Sequence, residues 1–164
     1  MNIVKATKEH IPVIKSLSDT TWPHTFKELL SEDQIAYMMD MMYSCQSLEK
    51  QMDNGHQYLL AEENGEYLGY VSYELNYNNS NITKLHKIYI LPSSQKKGVG
   101  RFFIDILVKI ATENNNTELS LNVNRENAKA IGFYERFGFE IVKSEDNDIG
   151  SGYYMIDYVM NKRL

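Results

Sequence analysis

The segment Gln95-Lys96-Lys97-Gly98-Val99-Gly100-Arg101 carries the strongest structural and functional signal of the sequence. It follows the apolar run Ile88-Tyr89-Ile90-Leu91 and leads into an amphipathic helix that we predict to begin near Val99. A strand, a glycine-bearing turn and a helix N-terminus together form an anion site. The amides of the first helical turn lack helical acceptors, and the helix dipole favours negative charge. The segment therefore predicts a bound phosphate group.

The composition of this loop supports the same prediction. Lys96, Lys97 and Arg101 add positive charge, and we expect Gly98 and Gly100 to adopt backbone conformations closed to other residues. The loop lacks the Gly-Lys-Ser/Thr ending of nucleoside-triphosphate sites. It also lacks the third glycine and the later acidic residue of the dinucleotide fingerprint. A glycine turn that merely caps a strand–helix junction is the alternative interpretation.

The chain after the loop predicts a long helix, a strand, a short helix and two final strands. The long helix has an unbroken apolar stripe, made of Val99, Phe102, Phe103, Ile106, Leu107 and Ile110. Alternating apolar residues predict a strand over 119–123, and a helix over Glu126–Phe137 ends at Gly138, which fits a C-cap glycine. The last strands are predicted at Phe139–Lys143 and Tyr153–Met160.

The chain before the loop predicts one short strand at Ile3–Ala6, a helical region, and then three successive strands, at 58–62, 67–75 and 82–91. Asn64-Gly65 between two of these is a strong hairpin signal, because both central residues of a type I′ turn need positive φ. The element order becomes β-α-α-β-β-β-α-β-α-β-β.

The helical region is predicted to contain a break. Pro23 disfavours helix at the residue before it, so we expect Thr20–Phe26 to interrupt the first helix. A second helix is expected after Ser31 and a shorter one around Ser47–Asn54. The second helix is rich in Met and Tyr, which indicates either core packing or an adaptable wall for an acceptor or a partner, a homodimer included. The large apolar and aromatic residues that this helix carries include Ile35, Met38, Met39, Met42 and Tyr43.

Composition and charge narrow the class of protein. The 164 residues suit a single domain, and 43% hydrophobic with 24% charged residues is ordinary for a globular protein. A formal net charge of −5 argues against a general nucleic-acid binder and is compatible with a cationic substrate. A single cysteine, Cys45, excludes an internal disulfide. With no membrane-span or signal-peptide pattern, we expect no membrane partner and a cytoplasmic location.

Three motifs taken together resemble the GNAT superfamily of acetyl-CoA-dependent N-acetyltransferases. They are the strand Leu85–Pro92, the loop Gln95–Gly100 and the segment Asn127–Phe139, which reads Asn-Ala-Lys-Ala-Ile-Gly-Phe-Tyr-Glu-Arg-Phe-Gly-Phe. The resemblance covers nearly the whole chain but is weak over residues 20–55. It implies an α/β (α+β) fold in which a mixed, mostly antiparallel sheet of about seven strands is splayed in the middle and flanked by helices. Residues 1–164 would form one N-acetyltransferase domain.

The same resemblance implies where acetyl-CoA would bind. Ile88, Tyr89 and Ile90 would offer backbone groups to the pantetheine arm, and an amide near Ile90 would stabilise the oxyanion. The backbone amides of Gln95, Lys96, Lys97, Gly98, Val99, Gly100 and Arg101 would hold the pyrophosphate. Asn127 would bond the pantetheine, although it could simply cap a helix. Tyr134 would protonate the departing thiolate, and its rival role is that of a core aromatic residue.

The sequence leaves the identity of the general base open. An amine acceptor is mostly protonated at neutral pH, so a group must remove a proton before or during the attack of the amine on the thioester. Relatives often carry a glutamate where this chain has Lys84. His86 faces the same side of the strand, since strand side chains alternate, and is our candidate base. Glu74 and a water relay are equal alternatives.

The acceptor is equally open. Thr25–Glu28 and Asp157–Leu164 look similar to GNAT enzymes acting on spermidine and related polyamines. We therefore expect a ternary-complex reaction with a small primary amine, a polyamine being the leading candidate, attracted by Asp157, Asp40 or Glu74. A peptide N-terminal amine and a non-catalytic coenzyme A-binding module are the alternatives. No metal is expected, because the four histidines lack ligand spacing.

Overall fold

The computed structural model describes residues 1–164 as two compact units. The first unit comprises Met1–Glu74 and Lys87–Leu107, and the second comprises Leu75–His86 and Val108–Leu164. Seven strands follow the order β1-β2-β3-β4-β5-β7-β6 in one mixed, mostly antiparallel open sheet, accompanied by five helices. The fold class predicted from the sequence is therefore confirmed. None of the five helices is long and apolar enough to cross a membrane.

The first unit begins with strand β1 (Asn2–Lys5), followed by helices α1 (Ile11–Phe26), α2 (Glu32–Tyr43) and α3 (Cys45–Asp53). The short helix expected around Ser47–Asn54 is thus present as α3. Strands β2 (Gln57–Glu63) and β3 (Glu66–Glu74) form the predicted hairpin, with φ +53° at Asn64 and +81° at Gly65. Its core includes Ile14, Leu17, Leu48, Leu60, Tyr70 and Phe103.

The predicted break at Pro23 is wrong, because α1 continues through it to Phe26. Proline in a helix removes one hydrogen bond and costs about 3 kcal/mol. Trp22 and Phe26 are both buried, with ring centroids 4.2 Å apart, and burying large side chains offsets that cost. The Thr25 hydroxyl donates to the Thr21 carbonyl at 2.9 Å, so local side-chain bonds also support the turn.

Strand β4 (Ile82–Ile90) and helix α4 (Val99–Glu113) each contribute residues to both units. The second unit adds β5 (Glu118–Asn124), α5 (Ala128–Arg136), β6 (Glu140–Gly150) and β7 (Tyr153–Arg163). β4 and β5 are parallel over Ile82–Leu85 and Glu118–Leu121, whereas β5 pairs antiparallel with β7 along its whole length. The core of this unit includes Leu85, Leu119, Leu121, Phe139 and Met160.

Strand β6 is longer than the sequence predicted. It extends to Gly150 rather than ending at Lys143, and nearly all of its side chains are exposed. An edge strand that buries neither face has no apolar alternation to reveal its length. Its pairing with β7 is broken by two register shifts, at Ile141/Lys143 and Asp148/Gly150.

Candidate functional site

The loop before α4 has the geometry of an anion site. A short 3-10 turn over Pro92–Ser94 follows β4, and the chain then reaches the first helical residue, Val99. The first bond of the helical ladder joins the Phe102 amide to the Gly98 carbonyl at 3.0 Å. The amides of residues 99–101 therefore precede the helix's own ladder and are available to an anion.

The backbone of this loop is unusual at two residues. Gly98 has φ +82°, as predicted, and no heavy atom lies within 4 Å of the position a Cβ would take. Lys96 has φ +66°, a conformation that costs a non-glycine residue free energy and often marks a functional site. The prediction for Gly100 is wrong, because this residue lies inside α4 and does not need positive φ. The loop thus combines an open backbone with the exposed side chains of Lys96, Lys97 and Arg101.

Strand β4 leads into this loop within the first unit. Ile88, Tyr89 and Ile90 are half-buried, and the Leu91 amide bonds the Leu68 carbonyl of β3 at 2.9 Å. β3 approaches β4 closely, since a Cβ on Gly69 would lie 2.4 Å from the Tyr89 carbonyl oxygen. The backbone of Tyr89 and Ile90 therefore has little freedom to shift towards β3.

A buried polar cluster fixes the other end of the Tyr89 side chain. The Trp22 indole N–H donates a shared hydrogen bond to the Tyr43 and Tyr89 hydroxyl oxygens, which lie 2.8 and 3.0 Å from Nε1. Burial raises the pKa of Tyr43 well above its usual value, so this phenol stays neutral. The sequence did not reveal this cluster, because its members come from α1, α2 and β4.

Lys87 is a buried residue that the sequence-based predictions did not include. Its side chain is only 8% exposed, and burial lowers the pKa of Lys87 to about 7. The signal that could have found it is the alternation on β4, where Thr83, Leu85 and Lys87 occupy inward positions and a lysine stands out.

In the second unit, Asn127 and Tyr134 are placed by α5. Asn127 is the N-cap of this helix, and its Oδ1 accepts the Ala130 amide at 3.2 Å. Tyr134 is buried, and its ring packs edge-on against Phe133 and Phe139 at 5.4 and 5.6 Å between centroids. Both residues thus have the alternative roles expected from the sequence, Asn127 as a helix cap and Tyr134 as a core aromatic residue.

His86, the candidate base, is half-buried in the second unit with its ring 5.7 Å from that of Tyr77. Lys84 lies on the same face of β4; its Nζ donates to Asn122 Oδ1 and sits 5.6 Å from the centre of the Tyr77 ring. Burial lowers the pKa of Lys84. In the first unit, Glu74 is within 3.5 Å of His56 Nε2.

Of the three acidic residues proposed to attract an amine, Asp157 has the most distinctive environment. It is 4% exposed on β7, and burial raises the pKa of its carboxyl group. The Asn122 amide donates to Asp157 at 3.3 Å and to Glu145 at 3.2 Å, so one amide faces two carboxylates. Asp40, in contrast, is exposed on α2.

Comparison with known proteins gives the family. The sequence profile of the Acetyltransferase (GNAT) family matches residues 14–139, which is most of the chain. The chain therefore belongs to the GNAT family of acetyltransferases. The family resemblance drawn from the three motifs is confirmed.

Two curated relatives indicate the range of acceptors in similar proteins. The peptidyl-lysine N-acetyltransferase YjaB of Escherichia coli (strain K12) is 34% identical over 71 residues, 43% of this chain and 45% of that protein. The spermidine N(1)-acetyltransferase of Thermoplasma acidophilum is 23% identical over 168 residues, 99% of this chain and 97% of that protein. The chain spans just under half the length of the two YjaB proteins it matches.

Solved structures of similar fold cover the whole chain. The PaiA N-acetyltransferase of Thermoplasma acidophilum in complex with coenzyme A has a TM-score of 0.81 at 23% identity, covering 99% of this chain and 98% of that one. A GCN5-related N-acetyltransferase of Rhodopseudomonas palustris has a TM-score of 0.84 at 17% identity, covering 99% and 95%. At these identities the likeness shows a shared fold.

Proposed function

We propose that residues 1–164 form one N-acetyltransferase domain, which transfers the acetyl group of acetyl-CoA directly to a primary amine in a ternary complex. The observation that carries this proposal is the loop before α4, where helix N-terminal amides, positive φ at Gly98 and exposed cationic side chains meet. The family membership and the coenzyme A complex of the PaiA structure support coenzyme A as the ligand whose phosphate groups bind at this loop.

In this proposal different residues of the chain bind the donor, stabilise the oxyanion and transfer protons. The amides of Gln95–Arg101 hold the pyrophosphate, and the backbone of Ile88–Ile90 holds the pantetheine together with Asn127. As the acceptor nitrogen bonds to the thioester carbon, an amide near Ile90 stabilises the oxyanion. The C–S bond then breaks and Tyr134 gives its proton to the thiolate. His86, Glu74 or a water relay takes the proton that the amine loses.

The pyrophosphate role predicts that alanine substitutions at two glycines of similar backbone conformation will have different effects on acetyl-CoA binding. Gly98 and Gly65 have φ +82° and +81°, and nothing lies within 4 Å of either Cβ position. Gly98→Ala and Gly65→Ala should therefore destabilise the fold equally, by about 1 kcal/mol, because each forces a Cβ into the left-handed region. Only Gly98→Ala should also weaken acetyl-CoA binding, by roughly tenfold, since its neighbours supply the phosphate-binding amides.

Calorimetric titration with acetyl-CoA and urea unfolding of both variants check this prediction. Equal loss of acetyl-CoA affinity in the two variants would mean that the effect is global, and would remove the loop from the binding site. Unchanged acetyl-CoA affinity in both variants would also remove the loop from the binding site.

For the acceptor, we propose a small cationic amine, with a polyamine as the leading candidate. Two features support it: the likeness to the spermidine N(1)-acetyltransferase extends over nearly the full length of both chains, and Asp157 and Glu145 present carboxylates around Asn122. A peptide amine is the second candidate, supported by the partial match to YjaB. The single cysteine keeps the cytoplasm as the proposed location.

A panel of acceptors tests this proposal. Thiol release from acetyl-CoA is measured with polyamines, amino acids, aminoglycosides, lysine-containing peptides and peptides with free N-termini. We expect the highest kcat/KM with a polyamine, and a loss of about tenfold on Asp157→Asn if its carboxylate attracts the ammonium. Activity on a peptide with none on any polyamine would overturn the polyamine assignment. Acetyl-CoA binding without turnover on the whole panel would favour the non-catalytic module.

A further inference from the structure

Lys87 occupies an unusual environment for a lysine. Its Nζ contacts Gln51 Oε1 closely and lies 2.8 Å from the Tyr58 hydroxyl. The rings of Tyr43 and Tyr58 lie 4.8 and 5.4 Å from it, measured to their centres. All of these groups are neutral, and no carboxylate contributes to the environment that sets its pKa. A buried ammonium without a carboxylate partner is costly, so the environment favours the uncharged amine.

The hydrogen-bonding capacity of the pocket points the same way. An ammonium has three N–H donors and no acceptor, whereas an uncharged amine has two donors and one acceptor. Gln51 Oε1 and the Tyr58 hydroxyl are the polar partners, and the remaining neighbours are ring faces. The Tyr58 hydroxyl donates its own proton to Gln51 Oε1 at 2.5 Å, so Gln51 and Tyr58 both accept from Lys87. The two N–H groups of the uncharged amine satisfy these two acceptors. The third N–H of an ammonium would meet the face of an aromatic ring, and this cation–π contact offsets only part of the cost of burying the charge.

Position makes this pocket relevant to the proposed donor site. Lys87 immediately precedes Ile88–Ile90, and its partners belong to α2 (Tyr43), α3 (Gln51) and β2 (Tyr58). Two residues further along the same face of β4, Tyr89 is bonded through Trp22 to α1. The side chains of Lys87 and Tyr89 therefore anchor this part of β4 to α1, α2 and α3.

We propose that Lys87 is a positioning residue. Its uncharged amine holds the donor-binding strand Ile88–Ile90 against α2 and α3, and its protonation weakens these contacts. The inference rests on the proposed function, because it takes Ile88–Ile90 as the strand that holds the pantetheine. It adds a pH-dependent control of donor binding that resides outside the groups that contact the ligand.

The other titratable groups around Lys87 do not change charge in the relevant range. Tyr43 of α2 and Tyr58 of β2 face the amine, and burial raises the pKa of both. Tyr70 of β3, whose ring packs against that of Tyr58, likewise has a pKa raised by burial. Gln51 of α3 does not titrate. Protonation near neutral pH within this cluster therefore belongs to Lys87.

The test is the dissociation constant of acetyl-CoA, measured by calorimetry as a function of pH. With protonation of one group near pH 7 opposing binding, the Kd of the unaltered protein should rise about tenfold between about pH 8 and about pH 6. Lys87→Met fills a similar volume without a titrating group, so its curve should lack this rise. Lys50→Met, on an exposed lysine of α3, is the matched control and should follow the unaltered protein.

A second variant tests the charge itself. Gln51→Glu places a carboxylate beside Nζ, which should raise the pKa of Lys87 and move the rise in Kd to higher pH. A merely structural role for Lys87 would not shift a pH profile in this way. If Lys87→Met retains the full rise in Kd between the two pH values, the inference is wrong.

Urea unfolding without acetyl-CoA separates this inference from the proposed function. The pKa of Lys87 is about 7 in the folded protein and near 10.5 in the unfolded chain, so the unfolded state binds more protons between these values. The folding equilibrium constant should rise with pH across that window, up to about tenfold per pH unit, relative to Lys87→Met. If the protein binds no acetyl-CoA at any pH, the proposed function fails together with the positioning role. If it binds with a pH-independent Kd, only the Lys87 inference fails.

Discussion

Replacing Tyr134 by Phe should lower turnover by about 10²–10⁴-fold while leaving acetyl-CoA affinity nearly unchanged. A phenol with a pKa near ~10 can protonate a thiolate whose parent thiol lies near ~8.5 only if proton transfer accompanies C–S cleavage. Removing the hydroxyl therefore removes transition-state stabilisation and little ground-state binding. The ring packs between Phe133 and Phe139, so phenylalanine keeps those contacts and the fold.

Steady-state kinetics and calorimetry on the same preparation separate these two quantities. Tyr154→Phe is the matched control, because Tyr154 lies on the exposed β6–β7 hairpin and has no place in the proposed chemistry. Its turnover should equal that of the unaltered protein. Unchanged turnover in Tyr134→Phe would refute the acid role and leave Tyr134 as a core aromatic residue.

The parts of the site that the sequence predicted are those encoded locally. The Gln95–Arg101 loop, the start of α4 and the Asn64-Gly65 turn each depend on a few consecutive residues, so short patterns identify them. The apolar stripe of α4 has the same property. Such features need no knowledge of what packs against them.

The features that the sequence missed depend on tertiary contacts. Pro23 lies within α1 because Trp22 and Phe26 are buried, and a local rule cannot weigh that burial. Lys87 looks like an ordinary strand lysine until Gln51 and Tyr58 are brought to it from 36 and 29 residues away. β6 was underestimated for the opposite reason, since an exposed edge strand has little packing to leave a pattern.

Gly69→Ala should produce the largest structural effect on the proposed donor strand. A Cβ at this residue would lie 2.4 Å from the Tyr89 carbonyl oxygen and 3.0 Å from the Ile90 Cα, both of them backbone atoms that cannot rotate away. β3 and β4 must therefore move apart, which should destabilise the protein by about 1–3 kcal/mol. The same displacement shifts the Ile90 amide, so turnover should fall further than the loss of folded protein explains.

The fluorescence of Trp22 should report the displacement of β4. Trp22 is the single tryptophan of the chain, and its indole N–H is hydrogen-bonded to the Tyr89 hydroxyl, so its fluorescence should change in Gly69→Ala. Gly132→Ala is the control: the nearest atom to its Cβ position is 3.9 Å away, and alanine within α5 should stabilise the helix by about 1 kcal/mol. The same substitution is thus expected to lower the free energy of unfolding at Gly69 and to raise it at Gly132. Equal unfolding midpoints in urea for Gly69→Ala and the unaltered protein, with Trp22 fluorescence unchanged, would show that β3 and β4 accommodate the methyl group without moving.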